Sequence, residues 1–430
     1  MLDFKETTRT YTKEEAFEEA RRCLNCKKPF CKINGCPAHL RNNEWIHEIV
    51  NGNIDEAYKI IMDGSNLSTM CCRVCDHYSQ CIGNCVLNKA KKEPVKVGYL
   101  ERFVQDNKTI ELEPVKEFKD INVAVIGSGP SGLSCALELV KNGIHATVYE
   151  KEEVLGGVLS LGIPEYRLPK HLVKEHIEFM KRMGVTFKTN ETYSIDELKE
   201  MGYKKVFVGC GLSKYRSLGI PGENLSNVYD GGSFLRKVNL KQGYNIGDGI
   251  KLEGTTFIVG AGNVAMDCCR TSQRVGSSKS VIVYRRSLEE APATKEELND
   301  ASKEGVIFNF LYNPVEIIGK DNKVCGIKCE KMILGEPDES GRRKPIGSNT
   351  FETFECDNVI IAIGEQPDGD YTNSLNIETN HGYIVSSDGF STSDPFVYAG
   401  GDIVRGADTV VRAMYDGKCA ALKMIEDFNK

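Results

Sequence analysis

Two stretches of this chain run from a block of β-forming apolar residues straight into a glycine-rich turn and then into an apolar stretch of helical character. The first is Ile121–Ile126, then Gly127-Ser128-Gly129-Pro130-Ser131-Gly132, then Leu133–Val140. A short continuous apolar run reads as a strand buried on both faces, and the longer stretch behind the turn reads as a helix. Gly143 ends that helix, and Ala146–Tyr149 predicts a second strand closing at Glu150. The second stretch covers 256–267: Thr256–Val259 enters Gly260-Ala261-Gly262-Asn263 and continues into Val264–Asp267. Its next strand is predicted at Val281–Tyr284. Ile360–Gly364 and Val397–Ala399 read as further strands, and Thr409–Ile425 as a helix.

The first 120 residues have another texture. Thr12-x-x-Glu15 is a capping box opening an amphipathic helix with Ala16, Phe17 and Ala20 on one side. Short helical stretches follow at Trp45–Val50 and Asp55–Met62. Around them stand two cysteine groups, Cys23-x2-Cys26-x4-Cys31-x4-Cys36-Pro37 and Cys71-Cys72-x2-Cys75-x5-Cys81-x3-Cys85.

Length and charge bound the picture. A chain of 430 residues has room for two to three domains. Its formal net charge of -6 offers no basic field for nucleic acid or an anionic membrane. No apolar run is long enough to span a bilayer and the first residues are not a secretory signal, so a cytoplasmic location is expected. Nine of the 17 cysteines lie between Cys23 and Cys85, and in a reducing compartment such clusters read as metal ligands.

The chemistry follows from residue types at fixed places. In a strand–glycine–helix turn the backbone approaches a pyrophosphate closely, and the helix N-terminus stabilises its charge. Gly127, Gly129, Pro130, Ser131 and Gly132 are the candidates, with Glu150 to accept the ribose hydroxyls. Lys151 follows, then Gly156-Gly157, where backbone can lie against a cofactor, and Arg167 in Ile163-Pro-Glu-Tyr-Arg-Leu-Pro169 offers a planar cation. Far downstream Gly400-Gly401-Asp402 leads towards Thr409 and its helix: a carboxylate for a polyol and a helix N-terminus for an electron-rich ring. Two remote pieces of chain thus close one FAD domain around an inserted one. In the insertion Gly260, Ala261, Gly262 and Asn263 form the second turn, Gly364 follows a later strand, and Arg285-Arg286 stand at a strand tip where the first unit carries Glu150. Two guanidinium groups there suit a 2′-phosphate, so NADP(H) is favoured. No side chain is required as catalytic acid or base, since the cofactors supply the reactivity.

Thiolates at these short spacings suit iron, which prefers soft sulfur donors, and Cys36-Pro37 matches the end of a bacterial ferredoxin run. Zinc is the competing reading of the C-x2-C pairs, but a ribbon has two neat pairs and here extra cysteines crowd them. Nine candidates suit two 4Fe-4S clusters.

With these motifs in place the chain resembles the glutamate synthase small (beta) subunit family of FAD/iron–sulfur NAD(P)H oxidoreductases. It is also similar to the N-terminal half of dihydropyrimidine dehydrogenase and to the large subunit of NADH-dependent ferredoxin:NADP oxidoreductase. Gly127–Gly132, Ile163–Pro169 and Gly400–Thr409 carry the resemblance. It implies one cluster on Cys23, Cys26, Cys31 and Cys85, and another on Cys36, Cys75, Cys81 and a non-cysteine ligand, for which Glu101 falls in place. It also implies that Arg285 and Arg286 contact the NADPH phosphate. Four residues rather than three separate Cys31 from Cys36, Asp76 replaces the usual proline after Cys75, and Gly209-Cys210-Gly211 replaces Ala-Thr-Gly.

The expected fold is α/β: two nested doubly wound (Rossmann-like) nucleotide-binding domains preceded by a helical domain carrying two iron–sulfur clusters. The expected limits are 1–120 for the helical domain, 121–222 and 359–430 for the FAD domain, and 223–358 for the NADPH domain. The expected function is electron transfer from NADPH through FAD and 4Fe-4S clusters to a partner. That partner is a glutamate synthase large subunit, or a flavin/iron–sulfur subunit with ferredoxin as acceptor. A stand-alone NAD(P)H oxidoreductase and a zinc-stabilised, non-catalytic scaffold are the alternatives.

Overall fold

The amino-terminal helices start where local capping allows them to. The Thr12 hydroxyl accepts from the Glu15 N–H while the Glu15 carboxylate accepts from the Thr12 N–H, opening α1 (Lys13–Arg21). It is followed by α2 (Asn42–Val50), α3 (Ile54–Gly64), α4 (Ser68–Val74) and α5 (Val97–Asn107). Trp45, Ile49, Ile61, Met70 and Leu100 fill the space between them. Arg73 on α4 and Arg102 on α5, both buried, share Glu6 and Asp106, with Arg73 at 3.0 Å from Glu6 and 2.9 Å from Asp106. Two buried cations facing two carboxylates leave no uncompensated charge, so the network fixes α4 on α5.

The computed structural model describes residues 2–339 and 341–430 and divides into two compact units. One unit holds the helices just described. It continues through β1 (Asn122–Ile126), α6 (Pro130–Lys141), β2 (His145–Glu150), α7 (Lys170–Arg182), β3 (Thr186–Thr189) and β4 (Lys205–Val208). The other unit comprises Leu161–Tyr166 and Lys214–Gln366 together with residues 2–5. Its elements are β5 (Val228–Asp230), α8 (Gly231–Tyr244), β6 (Thr255–Val259), α9 (Asn263–Arg274), β7 (Lys279–Tyr284), β8 (Ile307–Phe310), β9 (Tyr312–Lys320), β10 (Lys323–Pro337), β11 (Arg343–Glu355) and β12 (Asn358–Ile361). The chain then returns to the first unit with β13 (Val397–Ala399) and α10 (Val410–Phe428).

Each unit has a five-stranded parallel sheet, in the order β13-β4-β1-β2-β3 and β5-β12-β6-β7-β8. Residues such as Val123, Val125, Ile258 and Ile282 are fully buried there, as continuous apolar strands require. The nested unit adds an antiparallel sheet, β9-β10-β11, in which β10 and β11 form a hairpin.

The limits of the insertion differ from the expected 223–358. β12 does not return the chain to the FAD domain; it pairs on both sides within the nested sheet, with β5 and with β6. At the other end Leu218 and Ile220 pack into the nested core, and Glu223 accepts from both of their N–H groups. The chain crosses at Ser213–Lys214 and again at Gln366–Pro367. Tyr166 is a separate anchor of the nested unit. Its ring is fully buried beside the guanidinium carbons of Arg274 (3.8 Å) and Arg270 (4.8 Å), and both arginines hydrogen-bond Glu304.

Candidate functional site

The first glycine turn leaves β1 at Gly127 and enters α6 with Gly129 as its cap and Pro130 in its first turn. Proline is at home there because that N–H has no helical partner. A Cβ on Gly132 would stand 1.9 Å from the Gly127 carbonyl oxygen, so only glycine closes this turn. A Cβ on Gly129 would meet nothing within 4 Å. That opening lies at a helix N-terminus, where a pyrophosphate is expected. Glu150, buried at the tip of β2, accepts from the Ser128 N–H (2.9 Å) and hydroxyl (2.6 Å). The Ser128 oxygen in turn accepts from the Gly156 N–H at 3.0 Å, drawing the Gly156-Gly157 segment onto the turn. Glu150 therefore clamps the turn, and its remaining lone pairs are available to a ribose. Lys151 is exposed behind it, and Arg167 is half-buried ahead of α7.

The downstream piece closes on the same turn. The Gly401 N–H donates to Asp416 on α10 at 3.0 Å, Arg405 donates to the same oxygen at 2.8 Å, and a Cβ on Gly401 would press on Ser131. Asp402 begins a short helix from this point. α10 lies so close to α6 that a Cβ on Gly417 would stand 1.9 Å from the Ser131 carbonyl oxygen. Thr409 caps α10, and its buried hydroxyl has no hydrogen-bond partner among the described residues. An open cradle over Gly129 and an orphaned hydroxyl at a helix N-terminus are what an absent dinucleotide would leave behind, so these residues fit FAD.

In the nested unit Gly260 packs on the end of β12, Ala261 accepts from the Ala293 N–H, and Gly262 caps α9. A Cβ on Gly262 would also meet nothing within 4 Å. Asn263 is exposed at the start of α9, and Gly364 lies beyond β12 with its carbonyl accepting from the Arg216 N–H. The two arginines part company here, against the expectation that both meet the phosphate. Arg285 is exposed at the tip of β7. Arg286 is 6% exposed, donates through Nε to the Arg343 carbonyl at 2.8 Å and pairs with Asp338 on the hairpin. Beyond the end of β7 the hairpin takes one guanidinium, and the other is left open.

The cysteines gather in two cavities. Cys23, Cys26, Cys31 and Cys85 line one, with Leu24, Phe30, Ile46 and Val97. Cys36, Cys75, Cys81 and Glu101 line the other. A single wide turn divides them: the Cys36 N–H bonds the Cys31 carbonyl across Cys31–Gly35, leaving one cysteine for each cavity. Among the described residues no three His, Cys, Asp or Glu side chains converge on one ion, as a tetrahedral zinc would require. Burial raises the Cys31 thiol to about 11 and that of Cys36 to about 12. Such thiols deprotonate on binding a metal, and soft sulfur around a cavity wider than an ion site fits an iron–sulfur cluster. Burial likewise pushes the Glu101 carboxyl up to about 7, although the Ser68 hydroxyl, donating to its Oε1 at 2.5 Å, works in the other direction. Gln105 supports that hydroxyl from behind at 3.1 Å.

Of the nine cysteines, the sequence leaves Cys71 or Cys72 as a spare thiol near a cluster, and His77 reads there as a surface or outer group rather than a ligand. Cys71, on α4, lines the second cavity with Cys75, the residue that ends that helix. Cys72 faces away, donating to the Thr69 carbonyl at 3.3 Å. His77 also lines the second cavity, and its Nε2 is buried with no partner among the described residues. Cys268 and Cys269 are buried on α9 and line neither cavity. Val411, in the first turn of α10, closes one side of the second cavity.

Comparison with known proteins agrees with this assembly. The family described as "Pyridine nucleotide-disulphide oxidoreductase" matches residues 121–417, and "Dihydropyrimidine dehydrogenase domain II, 4Fe-4S cluster" matches residues 1–112. The glutamate synthase [NADPH] small chain of Halomonas elongata is 35% identical, over 97% of this chain and 92% of that protein. The Escherichia coli small chain is 34% identical over 98% and 93%. The NADP(+)-dependent formate dehydrogenase subunit beta of Moorella thermoacetica is 36% identical over 92% of this chain and 60% of its own length. Among solved structures, Mycobacterium tuberculosis FprA in complex with NADPH shares the fold with a TM-score of 0.63 at 20% identity, over 72% of this chain and 85% of that one. No helix among the described residues is long and apolar enough to cross a membrane. The chain belongs to the pyridine nucleotide-disulphide oxidoreductase family, in the group of glutamate synthase small chains, and is an NAD(P)H-dependent oxidoreductase of the FAD and 4Fe-4S kind.

Proposed function

We propose that this chain is the electron-input subunit of a larger enzyme, oxidising NADPH and delivering electrons to a partner through two 4Fe-4S centres. When bound, FAD takes an electron pair from NADPH as hydride, and iron–sulfur centres carry electrons singly. The chain's own residues hold and order these groups. The turn Gly127–Gly132, Glu150, Gly157, Gly401, Asp402 and Thr409 hold FAD, with Lys151 and Arg167 at its edge. Gly260–Asn263, Gly364 and Arg285 hold NADPH. Cys23, Cys26, Cys31 and Cys85 hold one centre, and Cys36, Cys75, Cys81 and Glu101 the other.

One observation carries this reading. The first turn of α10 bears both Thr409, whose orphaned hydroxyl belongs to the FAD site, and Val411, which lines the second cysteine cavity. The second centre is therefore the flavin's neighbour, and the first, across the Cys31–Cys36 turn, is the outlet. The relatives named as glutamate synthase small chains and as a formate dehydrogenase subunit support a separate partner holding the final acceptor. The test is anaerobic mixing of the purified protein with NADPH, followed by visible and EPR spectra. Bleached flavin absorption and reduced iron–sulfur signals are expected; a protein without iron, or a flavin that NADPH does not bleach, overturns the proposal.

The arginines give a second test. Arg285→Ala should raise the KM for NADPH about 10- to 100-fold, the loss expected for a charge-assisted contact of about 1.5–3 kcal/mol, and leave NADH use nearly unchanged. Arg286→Ala should instead loosen the hairpin and affect both nucleotides alike. Equal losses for NADPH and NADH in the Arg285 variant would defeat the 2′-phosphate assignment.

A further inference from the structure

Glu101 reaches the second cavity at the end of a hydrogen-bond chain that runs in one direction. Ser68 opens α4, and Glu101 and Gln105 lie one turn apart on α5, which packs against it. The Thr69 hydroxyl donates to Gln105 Oε1 at 3.1 Å, so the amide turns its NH2 group the other way. Gln105 Nε2 donates to the Ser68 oxygen at 3.1 Å, and the Ser68 hydroxyl donates to Glu101 Oε1 at 2.5 Å. A hydroxyl has a single proton, so a serine that accepts from an amide gives that proton to the carboxylate. Ser68, Glu101 and Gln105 are all buried, and each satisfies the next, as buried polar groups must. The chain engages one carboxylate oxygen, and no hydrogen bond from the described residues reaches Oε2. Glu101 meanwhile lines the cavity of Cys36, Cys75 and Cys81.

We propose that Ser68, backed by Gln105, is a positioning residue of the second centre: it holds Oε1 so that Glu101 ligates iron through Oε2 alone, and its hydrogen bond raises the potential of that centre. This rests on the electron-input reading, which assigns Glu101 to the centre, and adds to it the residues that aim the ligand. Glu101 binds as the carboxylate, and uptake of one electron by the centre breaks no bond in the chain. Reduction adds negative charge, which strengthens a hydrogen bond donated to the ligand. The Ser68 hydroxyl therefore favours the reduced form, one of the ways in which a protein sets the potential of an iron–sulfur centre.

The test is an anaerobic redox titration, followed by EPR, of the full-length holoprotein and its Ser68→Ala and Gln105→Leu variants. The signal of the second centre is the one that Cys81→Ser removes. Ser68→Ala should keep about eight iron atoms per chain. Reduction of its second centre should be about tenfold less favourable, the worth of one hydrogen bond to a charged group, or about 59 mV lower for one electron. The first centre should keep its potential. The EPR line shape of the second centre should change as well, because a released carboxylate can bind through both oxygens. Gln105→Leu, which keeps the serine hydroxyl but removes its support, should move the second centre the same way by less. Should Ser68→Ala fail to hold the second centre, the shift in Gln105→Leu decides. The proposal is overturned if the second centre keeps its potential and line shape in these variants, or if both centres shift equally. If Cys81→Ser removes no iron–sulfur signal, the ligand set of the electron-input reading falls, and the aiming of Glu101 with it.

Discussion

Replacing Cys81 by serine is expected to remove one iron–sulfur centre and leave the other, together with a flavin that NADPH still reduces. Cys81 is 7% exposed in the second cavity with Cys36, Cys75 and Glu101. A serine hydroxyl holds its proton far more tightly than a thiol and is a harder, poorer donor to iron. With one of its ligands lost, that centre should fail to assemble, and iron should fall from about eight to about four atoms per chain. The glycine turns and Thr409 are untouched, so NADPH should still bleach the flavin, while reduction of a protein acceptor at the outlet should collapse. Cys72→Ser is the control: its thiol faces the Thr69 carbonyl, outside both cavities, and its iron content should be unchanged. Unaltered iron in the Cys81 variant, or loss of both centres, would show the ligand sets to be wrong.

The second large effect separates two glycines of one turn. Gly132→Ala puts a methyl group 1.9 Å from the Gly127 carbonyl oxygen, a backbone atom that cannot swing aside. The resulting overpacking should cost at least about 1–3 kcal/mol. At about 2–4 °C per kcal/mol, the thermal midpoint should drop by several degrees even without cofactor. Gly129→Ala adds a methyl group that meets nothing within 4 Å of protein. That variant should fold with an unaltered midpoint in the cofactor-free form, yet bind FAD at least about tenfold more weakly, because the methyl group occupies the space reserved for the pyrophosphate. Comparing melting curves of the apoproteins with FAD titrations checks both halves. Normal FAD affinity in the Gly129 variant would mean that the dinucleotide does not lie over this turn.

Much of this was legible in the chain because it is written locally. A glycine turn between an apolar strand and a helix carries its own signature, and so does the Thr12–Glu15 capping box. What stayed hidden depends on partners far away in sequence. Ile360–Ile361 announces a strand, but only its pairing with Val228–Asp230 and Thr255–Val259 shows which sheet it joins. Arg285 and Arg286 look equivalent until the hairpin supplies Asp338 and the Arg343 carbonyl to one of them. Ser128 and Asp416 are ordinary residues in sequence, and they become clamps only when Gly156 and Gly401 arrive beside them. The division of the cysteines was implied by the family resemblance, whereas the turn of five residues that parts Cys31 from Cys36 is seen only in the structure.

α10 also imposes an order on biosynthesis. The dinucleotide cradle needs β1 and α6 together with residues 410–428, nearly 300 positions later, and the second cysteine cavity needs Val411. Neither can be completed on the ribosome until those late codons have been read. The nested sheet draws its strands from residues 228–361 alone and is free to form before then. The nested sheet and the first cysteine cavity, lined by residues 23–97, can thus form first, while the dinucleotide cradle and the second cysteine cavity wait for α10.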